Sequence, residues 1–99
     1  MNISAKELKE KIDLKSKLTI LDVREELEYH TFNIGGKNIP LGKLPVVLED
    51  LDYEKSEEII VVCQRGLRSA TAQKILQAAG YVNTKNLQGG LLAYRRTNN

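Results

Sequence analysis

Two blocks of this chain are apolar on both faces. "KLTILDV", Lys17 to Val23, and "EEIIVVC", Glu57 to Cys63, are short and dense in β-branched and leucine residues. A strand solvated on one side would alternate, so continuous runs of this length read as strands of a parallel sheet covered on both faces. Around them the period lengthens to that of helices. Ser4 with Glu7 three residues later has the form of a capping box, and Leu8 and Ile12 recur four apart, so residues 4–12 read as a short amphipathic helix. Helices are also expected in "REELEYH", in "PVVLEDL" with Pro45 at the first helical position, and in "SATAQKILQAAGY". In the last of these Ala70, Ile75 and Ala79 share a face, and Gly80 falls just past the helix end. Lys37–Ile39 reads as a short strand inside the loop-like "NIGGKNIPLGKLP", and "NTKNLQGGLLAYRR" as a brief strand with a last turn or two of helix. Strands alternating with helices give an α/β fold class, with a central, mostly parallel sheet flanked by helices on both faces.

Composition narrows the setting. The 99 residues, 41% hydrophobic and 28% charged, predict one domain over residues 1–99 with one core. A formal charge of +2 with both signs interspersed argues against a nucleic-acid or membrane face. The longest apolar run, Ile59 to Cys63, is five residues, against roughly 20 for a spanning helix. The N-terminus lacks the apolar block of a secretion signal, which leaves a cytoplasmic setting as the expectation. No cluster has metal-ligand spacing and no nucleotide-type glycine loop is present, so neither metal nor cofactor is expected.

The chemistry concentrates where the second apolar strand ends. Cys63, the one cysteine, is followed by "QRGLR" and then by a helix. Ligands of open α/β sheets gather at the carboxyl ends of strands, where a helix N-terminus offers unpaired N–H groups and positive potential. A thiol facing those amides, with Arg65 and Arg68 close in sequence, would have its pKa lowered and its nucleophilicity exposed. Gly66 permits the backbone angles by which successive amides curl around one point, and Ser69 could cap the following helix. The plainer alternative is that Cys63 completes a buried strand and the arginines are solvated.

At this point the residues resemble a known family. "VVCQRGLRSATAQKILQAAGY" is similar to the active-site segment of rhodanese-type sulfurtransferases, "LDVREELEY" to their Asp-Val-Arg-Glu signature, and "NLQGGLLAY" to their closing Leu-x-Gly-Gly segment. "NIP", Asn38 to Pro40, matches the usual sequence between them. The resemblance covers nearly the whole chain in the family's order. It implies a rhodanese-like fold in which Cys63 carries sulfur as a persulfide, cradled by Gln64, Arg65, Gly66, Leu67 and Arg68. Asp22 and Arg24 match the signature pair, taken as support for the loop together with Ser69. Where the family usually has Gly-His-Ile the chain has Phe32, Asn33 and Ile34, the next segment is shorter by one residue, and the usual closing Trp is Tyr94. That form resembles rhodanese domains attached to activating enzymes of sulfur-carrier proteins.

The resemblance implies a sulfane-sulfur transferase whose donor is thiosulfate or a protein persulfide. A desulfurase, thioredoxin or a sulfur-carrier protein would be its partners. Two other functions compete. A Cys-based phosphatase or arsenate reductase would resemble C-x5-R, whereas four residues separate Cys63 from Arg68 and the tighter loop favours sulfur. A non-catalytic binding module would keep the fold without the chemistry, but typically loses the cysteine or the basic residues. His30 is predicted at a helix end remote from Cys63, and Gly89-Gly90 is read as a turn because nine residues follow it.

Overall fold

The computed structural model describes residues 1–97. Five strands form one sheet: β1 (Asn2–Ile3), β2 (Ile20–Asp22), β3 (Lys37–Asn38), β4 (Ile59–Val62) and β5 (Thr84–Leu87), in the order β1-β5-β4-β2-β3. Every neighbouring pair is parallel. The α-helices are α1 (Ala5–Asp13), α2 (Glu26–Thr31), α3 (Leu44–Val47), α4 (Leu67–Ala78) and α5 (Gly90–Arg96). No helix among the described residues is long and apolar enough to cross a membrane.

The central strand explains the layers. All four residues of β4 are buried, and its alternation divides the core in two. Ile59, Val61 and Cys63 pack with Leu21, Val23, Leu44 and the α4 residues Ala72 and Leu76 on one face. Ile60 and Val62 pack with Ile3, Leu8, Leu87 and Leu91, from β1, α1, β5 and α5, on the other. Continuous apolar runs mark strands covered on both faces, and that inference holds.

Local signals hold where they are self-contained. Ser4 caps α1 through the Glu7 N–H at 3.0 Å while the Glu7 carboxylate accepts the Ser4 N–H at 3.2 Å, the capping box expected. Gly80, left-handed at φ 98°, follows α4. Its N–H reaches the Gln77 carbonyl at 3.0 Å and Tyr81 N–H reaches Leu76 at 3.1 Å, the paired bonds of a Schellman ending.

Four expectations need correction. β1 was not foreseen, since two residues at a sheet edge carry no periodicity. Strands β2 and β4 are shorter than the apolar runs that mark them. Pro45 is the second residue of α3, not the first, and that helix is one turn between 3-10 turns. The buried stripe of α4 is Ser69, Ala72, Gln73 and Leu76, leaving Ala70, Ile75 and Ala79 only half-buried. Two of those four are polar for a reason. The Gln73 side-chain amide donates to the carbonyls of Thr84 at 3.0 Å and Met1 at 2.8 Å, tying α4 to β5 and to the chain start. The other, Ser69, belongs to the site described next.

Candidate active site

Cys63 lies one residue beyond β4, with 1% of its surface exposed, and the helix α4 starts four positions later. The turn between them is made by Gly66, whose φ of 92° is left-handed and whose place is the N-cap of α4. That conformation turns the Gly66 N–H back onto Cys63 Sγ at 3.1 Å. One turn on, the Ser69 N–H points at the same sulfur at 3.3 Å. The Ser69 Oγ stands 3.3 Å away as well. Ser69 therefore does not cap the helix, as the sequence suggested. Gly66 caps α4 three residues before the expected place, which carries Ser69 to the third helical position and turns its hydroxyl onto the thiol.

A second turn backs the first. Gly89, at φ 76°, caps α5, and the second and third amides of that helix hold the loop from behind. Leu91 N–H donates to the Cys63 carbonyl at 2.8 Å and Leu92 N–H to the Gln64 carbonyl at 3.0 Å. With the carbonyls drawn that way, the amides of the loop are left to face sulfur. The approach is close enough to demand glycine: a Cβ on Gly90 would sit 2.4 Å from the Gln64 carbonyl oxygen. The Gly-Gly pair is thus a turn, and also the wall behind the Cys63 loop.

Asn86, at the penultimate position of β5, joins both halves of the site. Its Nδ2 donates to the Gly66 carbonyl at 3.1 Å, which fixes the side-chain amide with Oδ1 toward Ser69. The Ser69 hydroxyl donates to that Oδ1. A hydroxyl has one proton, so while Cys63 is a thiol Ser69 accepts from it, and when Cys63 is charged Ser69 must turn to donate.

Burial pushes the Cys63 thiol up, but the Ser69 hydroxyl and the amides of Ser69, Arg65 and Gly66 outweigh it, and the net direction is below the ordinary thiol value. Hydrogen bonds thus carry the shift, whereas the sequence pointed to arginine charge as well. Arg65 is exposed and, among the described residues, forms no ion pair. Arg68 is committed to a partner. Its NH1 and NH2 grip both carboxylate oxygens of Glu28 at 2.6 and 2.9 Å. The Arg68 hydrogen bond holds the Glu28 carboxyl down at about 2, against burial. Glu28 in turn raises the arginine, which feels Cys63 more weakly.

Cys63, Gln64, Arg65, Leu67 and Arg68 line a cleft of about 240 Å³, so four of the five expected cradle residues share one opening with the thiol. The fifth, Gly66, is the buried turn beneath it. Leu67 is 76% exposed and forms an apolar rim. Gln64 also lines a neighbouring cleft of about 450 Å³ with Arg24, Leu27, Glu28, Thr31, Phe32 and Arg95.

Asp22 and Arg24 are buried against each other, bidentate at 2.8 to 3.2 Å. Arg24 also donates to the carbonyls of Glu28 at 3.3 Å and Phe32 at 2.6 Å, so the pair closes α2 rather than touching the Cys63 loop. Its route to the loop runs through Glu28 and Arg68. His30 is exposed at the end of α2, edge-on to Tyr29, and lines neither cleft. Sequence reasoning missed Glu28 and Asn86. Glu28 lies 40 positions from Arg68 and Asn86 17 from Ser69, so the one available signal was a polar Asn beside the apolar end of a short strand.

The Rhodanese-like domain family model matches residues 4–97. The Bacillus subtilis protein named "Putative sulfurtransferase YtwF" is 37% identical over 93 residues, covering 93% of this chain and 87% of that protein. The Arabidopsis thaliana adenylyltransferase and sulfurtransferase MOCS3 is 32% identical over 107 residues, covering 93% of this chain but 23% of its own length. A crystal structure of a rhodanese-like domain protein from Staphylococcus aureus superposes with a TM-score of 0.82 at 32% identity, covering 95% of this chain and 91% of the other.

Proposed function

The chain belongs to the rhodanese-like domain family, and from that premise we propose that it moves a sulfane sulfur from a donor to a thiophilic acceptor through a persulfide on Cys63. The family and the names of its relatives support sulfur transfer in general. The observation that carries the finer reading is the sulfur itself: buried, ringed by fixed donors and open to one small cleft.

The reaction has two displacements. Cys63 thiolate attacks the outer sulfur of thiosulfate, forming Cys–S–S⁻ and releasing sulfite, with total charge conserved. A donor persulfide does the same and releases a thiolate. An acceptor thiolate or cyanide then removes the outer sulfur as a new persulfide or thiocyanate and regenerates Cys63. Between steps the charge sits among amides oriented before it arrives, so little reorganisation is needed. Gln64, Arg65, Leu67 and Arg68 shape the opening, and Ser69 supplies the one donor able to turn. The partners proposed are a thiosulfate-like anion or a persulfidated protein as donor, and thioredoxin or a sulfur-carrier protein as acceptor. The proposed setting is the cytoplasm, where reducing conditions keep a lone thiol free.

The test is intact-protein mass after incubation with thiosulfate or a thiol persulfide, before and after cyanide, on the native chain and on Cys63→Ser. One added sulfur that requires Cys63 and leaves with cyanide is the expected result. A native chain that gains no sulfur from either donor refutes the reading.

A further inference from the structure

The arginine best placed to receive an anionic donor is already occupied. Arg68 lines the cleft over Cys63, yet both of its terminal nitrogens are spent on Glu28, a side chain delivered from another element, α2. Both partners are about one third exposed, so the pair stands at the mouth, where a ligand would meet it. The arrangement is held from below. Glu28 Oε1 also accepts the Glu25 N–H at 3.0 Å, and Arg24 anchors the Glu28 carbonyl. A bidentate carboxylate fills the same fork of donors that a sulfonate or sulfate would use.

The apolar neighbours of the pair matter too. Leu27 and Leu67, next in sequence to Glu28 and Arg68, are 79% and 76% exposed. They would contribute nothing to a small dianion, but would contact the body of a larger sulfur-bearing partner.

Resting on the sulfur-transfer reading above, we propose that Glu28 is a specificity-determining residue. By occupying Arg68 it disfavours small dianionic donors such as thiosulfate, and it turns the site toward a persulfide borne on a larger thiol. A thiosulfate ion meets a guanidinium whose charge is already offset and whose NH1–NH2 fork is taken, so it binds there less well unless it displaces the carboxylate. A thiol persulfide brings one negative charge, on the sulfur itself, which the amides around Cys63 receive. Glu28 acts through Arg68 and does not touch the reacting atoms.

Glu28→Gln separates charge from shape, because the amide oxygen still accepts the Glu25 N–H while Arg68 is released. The specificity ratio, kcat/KM for thiosulfate over kcat/KM for the persulfide of a neutral thiol such as N-acetylcysteine amide, should rise about fivefold, as expected when a partly exposed ion pair stops competing. The change should appear in the thiosulfate KM rather than in kcat. It should vanish in Glu28→Gln/Arg68→Gln. An unchanged or lower ratio, or a gain that survives the double substitution, overturns the proposal. A second arm is independent of sulfur transfer: sulfate titrated by NMR into Cys63→Ser and into Cys63→Ser/Glu28→Gln. Tighter sulfate binding by the same factor is expected in the latter, and equal affinities overturn the proposal. If Cys63 never acquires sulfur the transfer reading fails on its own, and the sulfate arm still decides the role of Glu28.

Discussion

Helices α4 and α5 begin alike. Each follows one of two adjacent parallel strands, and each is entered through a left-handed glycine, Gly66 or Gly89. Their first amides go to different places. The Gly66 and Ser69 amides at the start of α4 end on the Cys63 sulfur, an atom able to take up charge, while the Leu91 and Leu92 amides of α5 end on the Cys63 and Gln64 carbonyls, which cannot. The same device therefore serves chemistry in one turn and scaffolding in the other. The two are coupled, because the carbonyls must be held back for the amides to converge.

Substituting one glycine in each turn should separate the roles. Gly90→Ala forces a left-handed backbone at φ 67° and a Cβ 2.4 Å from the Gln64 carbonyl oxygen. Strain plus overlap should cost about 3 kcal/mol or more, read as a lowered denaturant midpoint. Gly66→Ala meets its nearest outside atom at 3.4 Å, so it carries only the left-handed penalty, about 1–2 kcal/mol. Its larger effect should be on reactivity, with slower Cys63 alkylation at neutral pH as the Gly66 N–H leaves the sulfur. If Gly66→Ala costs more stability than Gly90→Ala, the division between the turns is wrong.

Ser69 and Asn86 sharpen the contrast within the chemical turn. Ser69→Ala deletes the donor that can turn toward a charged sulfur, so the Cys63 pKa should move up, read from the pH midpoint of alkylation. It also removes the hydroxyl partner of the half-buried Asn86 Oδ1, at a cost of about 1 kcal/mol. A Cys63 midpoint that stays in place or falls would mean the backbone amides suffice. The linkage has a definite sign. The native thiol sits below its unfolded value, so its contribution to stability is whole above the unfolded pKa and is lost as pH falls through the native one.

These residues show what the sequence could and could not reveal. The apolar runs, the capping box and Gly80 are local signals, and each marks an element that forms. Cys63, Gly66 and the Gly-Gly pair were legible because strand, turn and helix follow one another along the chain. Ser69 was legible as part of the site but not in its role, since its part depends on where the helix starts, and Gly66 starts it earlier than a serine cap would. Arg68 was legible as a residue of the cleft but not in its pairing, for a different reason. Its charge is visible in sequence, but its occupation by Glu28 follows only when parallel strands bring α2 beside α4.

That ion pair has its own pH signature. Glu28 is held at about 2 against an ordinary value of 4.5. On acidification the unfolded chain takes the proton first, so the stabilisation is whole above the ordinary value and lost as pH falls toward the native one. Because both partners are about a third exposed, solvent screening leaves about 1 kcal/mol of it. Unfolding of the native chain and Glu28→Gln should differ by that amount at pH 7 and converge in acid. Curves that stay parallel into acid would show that the difference does not come from the Glu28 charge.

Arg65 is the counterpart of Arg68, at the same opening but exposed and, among the described residues, without an ion pair. Because Arg65→Ala breaks no side-chain pair and leaves the main-chain amide near the sulfur, stability should hold within about 0.5 kcal/mol. What should change is encounter: a roughly two- to threefold slower reaction with an anionic thiol reagent at low salt, converging with the native chain as ionic strength rises. A neutral alkylating reagent should show no such difference. If it slows equally, Arg65 acts on the thiol rather than on the approaching charge, and the contrast between a free and an occupied arginine no longer holds.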